Sequence, residues 1–299
     1  MDRRLAGAGL ARTGEAEQTR LRPWATVLRA PTSGGVVWMK AGGPATAFEA
    51  GLYGVLARVA PGDVLAPLAL DVARGWVLLP DGGPSVGERL GAEGSAGALV
   101  TAVAQYGRLQ RMLAPHAGEL PGLGVPDMRP EVMPARFAEA LAAAHASAPA
   151  GAQDRLAALA ALDGAVGGWC ETLAATPVPV SLDHNDLHAY NVLGTGPYRF
   201  YDWGDAVVAH AFAAMLVPLE VLDAHHGARA RDAYLGAFDD LAPRAELEAT
   251  LEVACRVAVI ARALTWERAL RSAREEGEPV DPRFAHAPYQ QLMALLPDQ

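Results

Sequence analysis

Between two apolar runs the chain sets a dense polar segment, Ser181-Leu-Asp-His-Asn-Asp-Leu-His-Ala-Tyr-Asn-Val-Leu193. Tyr201-Asp-Trp-Gly204 follows it after a Gly-rich turn. Buried polar groups must be hydrogen-bonded or ligated, so this segment constrains the fold more than any other. Pro177–Leu182 reads as an extended lead-in and Arg199–Trp203 as a short strand after the turn. The loop between them has to bring His184, Asp186 and Asn191 to the same place as Asp202.

His184, Asp186 and Asn191 stand at the spacing H-x-D-x-x-x-x-N, with Asp202 eleven residues beyond Asn191. A kinase-type phosphoryl-transfer loop and its following metal-binding Asp share that spacing. Such chemistry needs positioning and charge neutralisation more than covalent help. Asp186 is the candidate base, accepting or aligning the proton of a substrate hydroxyl. Asn191 can return to the same site and offer a neutral amide oxygen to Mg²⁺, and Asp202 the hard anionic oxygen that Mg²⁺ prefers. His184 is expected to brace the loop by hydrogen bonding rather than act as base.

Lys40 is the sole lysine of the chain; the other cations among the 25 Lys and Arg are arginines. A compact ammonium kept at a strand end suits contact with the α- and β-phosphates of a nucleotide. Such a lysine needs a carboxylate to hold it, and Glu49 is the first acid after it. Leu79 to Asp81 are expected to offer backbone groups to adenine, because a linker between lobes commonly lines a cleft. Gly34-Gly35 reads as a β-turn, since no G-x-G-x-x-G is present. The phosphate cover is then sought near Arg22–Thr26.

The pattern along the chain is β-β-α-β-β over residues 1–79. Strands are expected at Leu21–Arg29, Gly35–Ala41, Leu65–Val72 and Gly75–Leu79. A helix is expected over Ala45–Val59, where Phe48, Leu52, Val55, Leu56 and Val59 fall at helical spacing. Pro80-Asp-Gly-Gly-Pro84 is a breaker cluster and the hinge candidate. Residues 85–299 read as a mostly helical second lobe. Ala96–Leu113 carries Leu99, Val100, Val103, Tyr106, Leu109 and Met112 on one stripe; Pro134–His145 and Gln153–Ala174 are further helices. Residues 209–299 return to helix, interrupted at Pro243 and around Gly277–Pro282. The fold class expected is therefore α+β with two lobes, a small β-sheet lobe carrying one helix and a larger helical lobe.

An apolar fraction of 51% supports a core, and a formal charge of −9 argues against nonspecific binding to nucleic acid or anionic membrane. ATP binding is compatible with that charge, because local Lys, backbone N–H groups and Mg²⁺ govern it. No apolar run reaches roughly 18 residues, the length of a membrane span. The N-terminus lacks a secretory apolar core, so a cytoplasmic protein is expected. Cys170 and Cys255 read as reduced thiols, and no C-x-x-C pair suggests zinc. The sequence leaves the oligomeric state open.

These residues resemble the aminoglycoside phosphotransferase family, small-molecule kinases with the protein-kinase-like fold, over nearly the whole chain. His184-Asn-Asp-Leu-His-Ala-Tyr-Asn-Val-Leu193 stands where the family shows H-G-D-L-H-x-x-N-[IV]-L, and Tyr201-Asp-Trp-Gly204 where it shows [IF]-D-W-[EG]. The Trp after the metal Asp, and the lack of an activation segment, set the chain apart from protein kinases. The resemblance implies ATP- and Mg²⁺-dependent transfer of the γ-phosphoryl group to a hydroxyl of a small molecule: an aminoglycoside-like drug, a sugar or an amino alcohol. A non-catalytic kinase-like protein that binds nucleotide or metabolite is the alternative.

The chain departs from the family pattern twice. Asn185 replaces a Gly, which implies a loop backbone that tolerates a side chain. The run after Asp205 lacks the family's acid, so its bracing role is absent or taken by another group such as His210. Asp205 either binds substrate or caps the next segment, and His188 either faces substrate or packs the loop. Arg256, Arg262, Trp266 and Arg268 either line the acceptor pocket or form a charged helix face. Glu220, Asp223, Asp232, Asp239 and Asp240 are open to the same two readings for a cationic acceptor.

Overall fold

The computed structural model describes residues 1–275, 277 and 280–297. Its chain begins with α1 (Asp2–Gly7), β1 (Glu17–Arg22), β2 (Ala25–Thr32), β3 (Gly35–Gly42), α2 (Glu49–Val59), β4 (Ala69–Asp71) and β5 (Trp76–Pro80). The strands form one antiparallel sheet in the order β1-β2-β3-β5-β4. The expected strand over Leu21–Arg29 is in fact two. Pro23 and Trp24 turn the chain between β1 and β2, since proline removes a ladder donor and presets a turn. The β4 strand is shorter than expected, and α1 adds a second helix to a lobe in which one was expected. Leu5 of α1 packs with Ala30, Val37, Met39 and Leu78 in a small core of its own.

The hairpin between β2 and β3 closes over Ser33 and Gly34, with Thr32 opposite Gly35. Gly35 holds φ at +106°, a left-handed value that only glycine adopts without strain. Gly75, at the turn into β5, is required by space as well: a Cβ there would lie 2.6 Å from Ala47 Cα.

The larger part contains α3 (Val86–Leu113), β6 (Asp127–Met128), α4 (Met133–Ser147), α5 (Gln153–Ala160), α6 (Asp163–Ala174) and β7 (Val180–Asp183). It continues with β8 (Val192–Leu193), β9 (Arg199–Phe200), β10 (Val207–His210), α7 (Leu216–Val221), α8 (Ala224–Leu235), α9 (Arg244–Glu275) and α10 (Ala287–Met293). Ser85 starts α3 with a reciprocal cap: its hydroxyl accepts the Glu88 N–H at 3.2 Å, and Glu88 accepts the Ser85 N–H at 2.8 Å. The α3 stripe is shifted from expectation at its end, where Leu113 is buried and Met112 is 43% exposed. The single helix expected over Gln153–Ala174 breaks at Ala161-Leu162 into α5 and α6. Residues 207–210, expected to enter helix by 209, form β10 instead. That strand joins β6 and β7 in a three-stranded sheet, order β6-β10-β7. Part of the Gly277–Pro282 interruption lies outside the described residues; α9 ends before it and α10 begins after it.

Helix α3 is the platform for the polar loop. Its buried Gln110 donates to the carbonyls of Leu182 at 3.1 Å and Ala211 at 2.8 Å, and the Tyr106 hydroxyl donates to Leu182 at 3.0 Å. Ser181 in turn donates to the Gln110 carbonyl at 2.8 Å. Buried side-chain donors that satisfy strand carbonyls fix the strand against the helix. The C-terminal end of β7, where the loop begins, is thereby held.

Candidate active site

Lys40 lies in β3, between β2 and β5, opposite Val27 and Val77. Its ammonium is 2.6 Å from Glu49 Oε2 and pairs also with the Asp202 carboxylate. Glu49 is the first residue of α2 and is 2% exposed; its Oε1 accepts the backbone N–H of Trp203 at 3.0 Å. One carboxylate thus joins the β3 lysine to the segment after β9. Burial works to lower the Lys40 pKa, but Asp202 and Glu49 outweigh it and hold the ammonium above its ordinary value. Burial pushes the Glu49 carboxyl up against the opposing pull of Lys40. At Asp202 burial also pushes up, yet Lys40 prevails and keeps the group below the usual carboxylate range.

Asp202 adopts φ +62°, which is uncommon for a residue with a side chain. The turn it makes leaves the carboxylate on Lys40 while the next residue, Trp203, is fully buried. Gly204 packs close to the cluster: a Cβ there would lie 3.2 Å from Lys40 Nζ.

Within the loop, the Asn191 amide nitrogen donates to the Asp186 carbonyl at 2.9 Å and to Asp186 Oδ2 at 3.1 Å. This leaves the Asn191 amide oxygen as the free end. His188 Nε2 is 3.3 Å from Asp186 Oδ2, so His188 faces the candidate base. Burial pushes the Asp186 carboxyl up, but the His188 hydrogen bond and the charges of Arg262 and His188 overcome it and bring it to about 2. Burial lowers His188, and Asp186 reverses this, so His188 lies above its ordinary value.

His184 is buried beside Trp203, with ring centroids 4.7 Å apart, and its Nε2 lies 2.9 Å from the Tyr201 carbonyl. A carbonyl can only accept, so Nε2 carries the proton. Burial keeps this imidazole below its ordinary pKa. His184 therefore ties the loop to β9 as a neutral brace.

A second ion cluster lies on the other side of Asp186. Arg262 of α9 reaches Asp186 Oδ1 at 3.4 Å and Asp205 Oδ2 at 3.4 Å, and it donates to the Asn185 carbonyl. Asn185 sits at φ +58°, so a glycine-favouring backbone is retained here although the residue is not glycine. The backbone here does carry a side chain, as expected, and does so in the left-handed region. Asn is among the few side chains that enter the left-handed region with ease. Here its amide donates to Thr265 Oγ1 at 2.8 Å and to the Asp205 carbonyl at 3.2 Å. Burial and the Asp186 charge push Asp205 up to about 6 against the pull of Arg262.

Lys40, Glu49, Asp202, Asp186, Asn191 and His184 thus form one connected region. Leu79 and Asp81 sit at the end of β5, apart from those contacts. The Asp81 N–H is taken by the Val36 carbonyl at 3.1 Å, and its carboxylate accepts from Trp38 Nε1 at 3.2 Å and the Gly83 N–H at 3.1 Å. Its carbonyl is what Asp81 has left to offer. His210 caps the turn after β10, accepting the Phe212 N–H at 3.3 Å, and burial brings it down to about 3. Among Arg256, Arg262, Trp266 and Arg268, Arg262 touches the loop, whereas Arg256 lies over the Trp169 ring at 5.0 Å.

Sequence reasoning did not single out Asp183. It is 1% exposed, its Oδ1 accepts the Asn185 N–H at 2.6 Å, and burial pushes it up to about 7. Its place next to His184 was the only available signal.

Among the described residues no group of three His, Cys, Asp or Glu could hold a metal ion. Magnesium needs no such group, since it binds through one or two carboxylates together with phosphates and water. One carboxylate from Asp202 and one amide oxygen from Asn191 fit that habit. No described helix is long and apolar enough to cross a membrane.

By sequence the chain matches no family model and no curated protein. By structure it is similar to a macrolide 2'-phosphotransferase from Brachybacterium faecium, with 18% identity, 98% of each chain covered and a TM-score of 0.59. It is similar to a choline/ethanolamine kinase family protein from Mesorhizobium loti, with 20% identity, 95% of this chain and 88% of that one covered and a TM-score of 0.57. A third likeness is to the GDP complex of wild-type aminoglycoside 2'-phosphotransferase-IIIa, with 13% identity, 94% and 92% covered and a TM-score of 0.58. The α+β fold of this chain, a small antiparallel sheet joined to a larger helical part, is therefore the kinase-like fold of these small-molecule phosphotransferases.

Proposed function

We propose that the protein is an ATP- and Mg²⁺-dependent phosphotransferase that moves the γ-phosphoryl group to a hydroxyl of a small molecule. The observation that carries this reading is the meeting of two separate sequence signals. Lys40 with Glu49 and Asp202 forms one cluster and Asp186 with Asn191 another; the Tyr201 N–H, next to Asp202, donates to the Asn191 carbonyl at 3.3 Å, and the Asp186 and Asp202 charges lie near enough to act on one another. Residues 1–79 form the nucleotide-binding lobe in this reading, 80–84 the hinge, and 85–299 the lobe with the loop and the acceptor site. The folds of macrolide, aminoglycoside and ethanolamine phosphotransferases support a small-molecule acceptor, and the GDP bound by one of them supports nucleotide use.

Lys40 holds the α- and β-phosphates, and Glu49 keeps the ammonium oriented. Asp202 and Asn191 would hold magnesium, which would supply positive charge to the phosphate oxygens. A carboxyl held near 2 is a poor proton acceptor in the ground state. Asp186 therefore aligns the acceptor hydroxyl first, and takes its proton as the bond to phosphorus forms. That order suits a loose transition state, in which the attacking oxygen becomes acidic late. His184 keeps the loop backbone in place.

The test is mass spectrometry of pooled aminoglycosides, macrolides, amino alcohols and sugars incubated with MgATP or MgGTP, with Asp186→Asn as the blank. A product heavier by one phosphoryl group and missing from the blank is expected. Tight MgATP binding with no product from any pool would instead favour the non-catalytic binding protein.

A further inference from the structure

We propose that the acceptor carries an anionic group, a carboxylate or a phosphate, beside the hydroxyl that is phosphorylated, and that Arg268 of α9 holds that group. The inference rests on the phosphotransferase reading and names the acceptor class for the same site.

Helix α9 meets the catalytic loop through Arg262 and Thr265. Arg262 meets Asp186, Asp205 and the Asn185 carbonyl, and Thr265 receives the Asn185 amide. Arg268 follows three residues after Thr265, about 9 Å further along the helix axis than Arg262 and about 120° round it. It lies close enough to Asp205 for the two charges to act on one another.

The two guanidiniums differ in what neutralises them. Arg262 is 13% exposed and is shared by two carboxylates. Arg268 has no carboxylate within 4.0 Å among the described residues, and its Nη1 is buried there without a hydrogen-bond partner. A buried donor without an acceptor is costly, and more so when it is charged. Burial also brings Arg268 down to about 10, against the pull of Asp205, so its surroundings do not compensate its charge. The Nε of Arg262 is a second buried N–H without a partner among the described residues. Glu220 lies near enough to feel Arg262, but it makes no ion pair with either arginine among those residues.

A cationic acceptor meets a wall already supplied with its cation. Arg262 occupies the space between Asp186 and Asp205 where an acceptor ammonium next to the reacting hydroxyl would seek carboxylates. An anionic acceptor completes the wall instead: its oxygens accept from the Arg268 guanidinium while its hydroxyl reaches Asp186. Planar, forked N–H donors suit carboxylate and phosphate oxygens.

The experiment is calorimetric titration of the full chain, saturated with Mg²⁺ and a non-hydrolysable ATP analogue, with two matched series. One series is gluconate, glucose 6-phosphate, glucose and glucosamine. The other is glycerate, glycerol 3-phosphate, glycerol and serinol. In at least one series an anionic member is expected to bind tenfold or more tightly than the neutral one, and the amine weakest. The acid and the phosphate ester separate the two sources of negative charge. Arg268→Gln is expected to remove that tenfold preference without changing nucleotide affinity, and Arg268→Lys to keep part of it. Tightest binding by an amine, no preference for an anion, or a preference that survives Arg268→Gln overturns the proposal. If Arg268→Gln does not fold, the wild-type series decide alone. Anion preference without phosphorylated product, when ATP replaces the analogue, would sink the phosphotransferase reading and leave the anion site standing. Phosphorylation of the amines alone would do the reverse.

Discussion

At the candidate site two cations, Lys40 and Arg262, each sit between two carboxylates. Lys40 joins β3, α2 and the segment after β9, so its cluster ties the small sheet to the larger part. Arg262 joins the loop after β7, the segment after Asp202 and α9, all within the larger part. The Lys40 pair with Glu49 is tight, at 2.6 Å, whereas both Arg262 contacts with carboxylates are at 3.4 Å. A short, enclosed ion pair is strongly coupled and costly to break; a longer one leaves room for another group to enter. The first cluster therefore has the character of a fixed clamp, and the second that of a looser junction.

The residue between the clusters should show the largest effect. Asp186→Asn keeps the side-chain shape and removes the carboxylate, and it is expected to lower kcat by about 10²–10⁴. MgATP affinity, measured by calorimetry, should change little. Asp202→Ala is expected to lose metal-dependent nucleotide affinity as well. Undiminished turnover in Asp186→Asn would separate the reaction from this loop.

Removing each cation in turn tests the contrast directly. Lys40→Ala leaves Glu49 buried beside Asp202 and should cost about 3 kcal/mol in urea unfolding. Arg262→Ala breaks longer contacts and leaves no carboxylate as deeply buried as Glu49, and it should cost about 1.5 kcal/mol. Equal losses, or a larger one for Arg262→Ala, would show that the two clusters do not differ in this way.

Much of the first cluster was legible in the sequence and little of the second. A single lysine in an arginine-using chain stands out, and Glu49 is the next acid after it. The loop motif carried Asp186, Asn191 and Asp202 at fixed spacing. Arg262 stands 76 residues beyond Asp186, on a helix that carries several other arginines, so nothing local marks it. Its role comes from how α9 crosses the loop, which is a matter of tertiary packing. The split of α5 from α6 was hidden for a different reason, because the Ala-rich sequence keeps helical propensity through the break. Residues 207–209 are apolar without alternation, and such a short run does not distinguish a buried strand from a helix.

Asp205 gives the second cluster a pH signature. Its carboxyl is pushed up to about 6 from an ordinary value of 3.8, so the folded state keeps a proton that the unfolded state has already lost. Its contribution to stability therefore falls as pH rises from about 4 to about 6. With its side chain 33% exposed, screening reduces the effect to roughly 1 kcal/mol. Asp205→Asn is expected to flatten that part of the Tm profile. An unchanged slope would place the titration elsewhere.

The smallest effect is the most discriminating about the loop backbone. Asn185 combines a left-handed φ of +58° with hydrogen bonds from its amide to Thr265 and Asp205. Gly loses the hydrogen bonds but adopts the backbone freely, whereas Ala loses them and retains the strain. The order of stability should be Asn185, then Asn185→Gly, then Asn185→Ala, with steps of about 0.5 kcal/mol each. Asn185→Ala matching Asn185→Gly would mean that the loop relaxes out of the left-handed region once its amide is gone. The position of Asp186, one residue further on, would then depend on the Asn185 side chain, and acceptor KM should rise in both variants. If the order holds, the backbone conformation is imposed by the strands around the loop, and Asn185 serves mainly to tie it to α9.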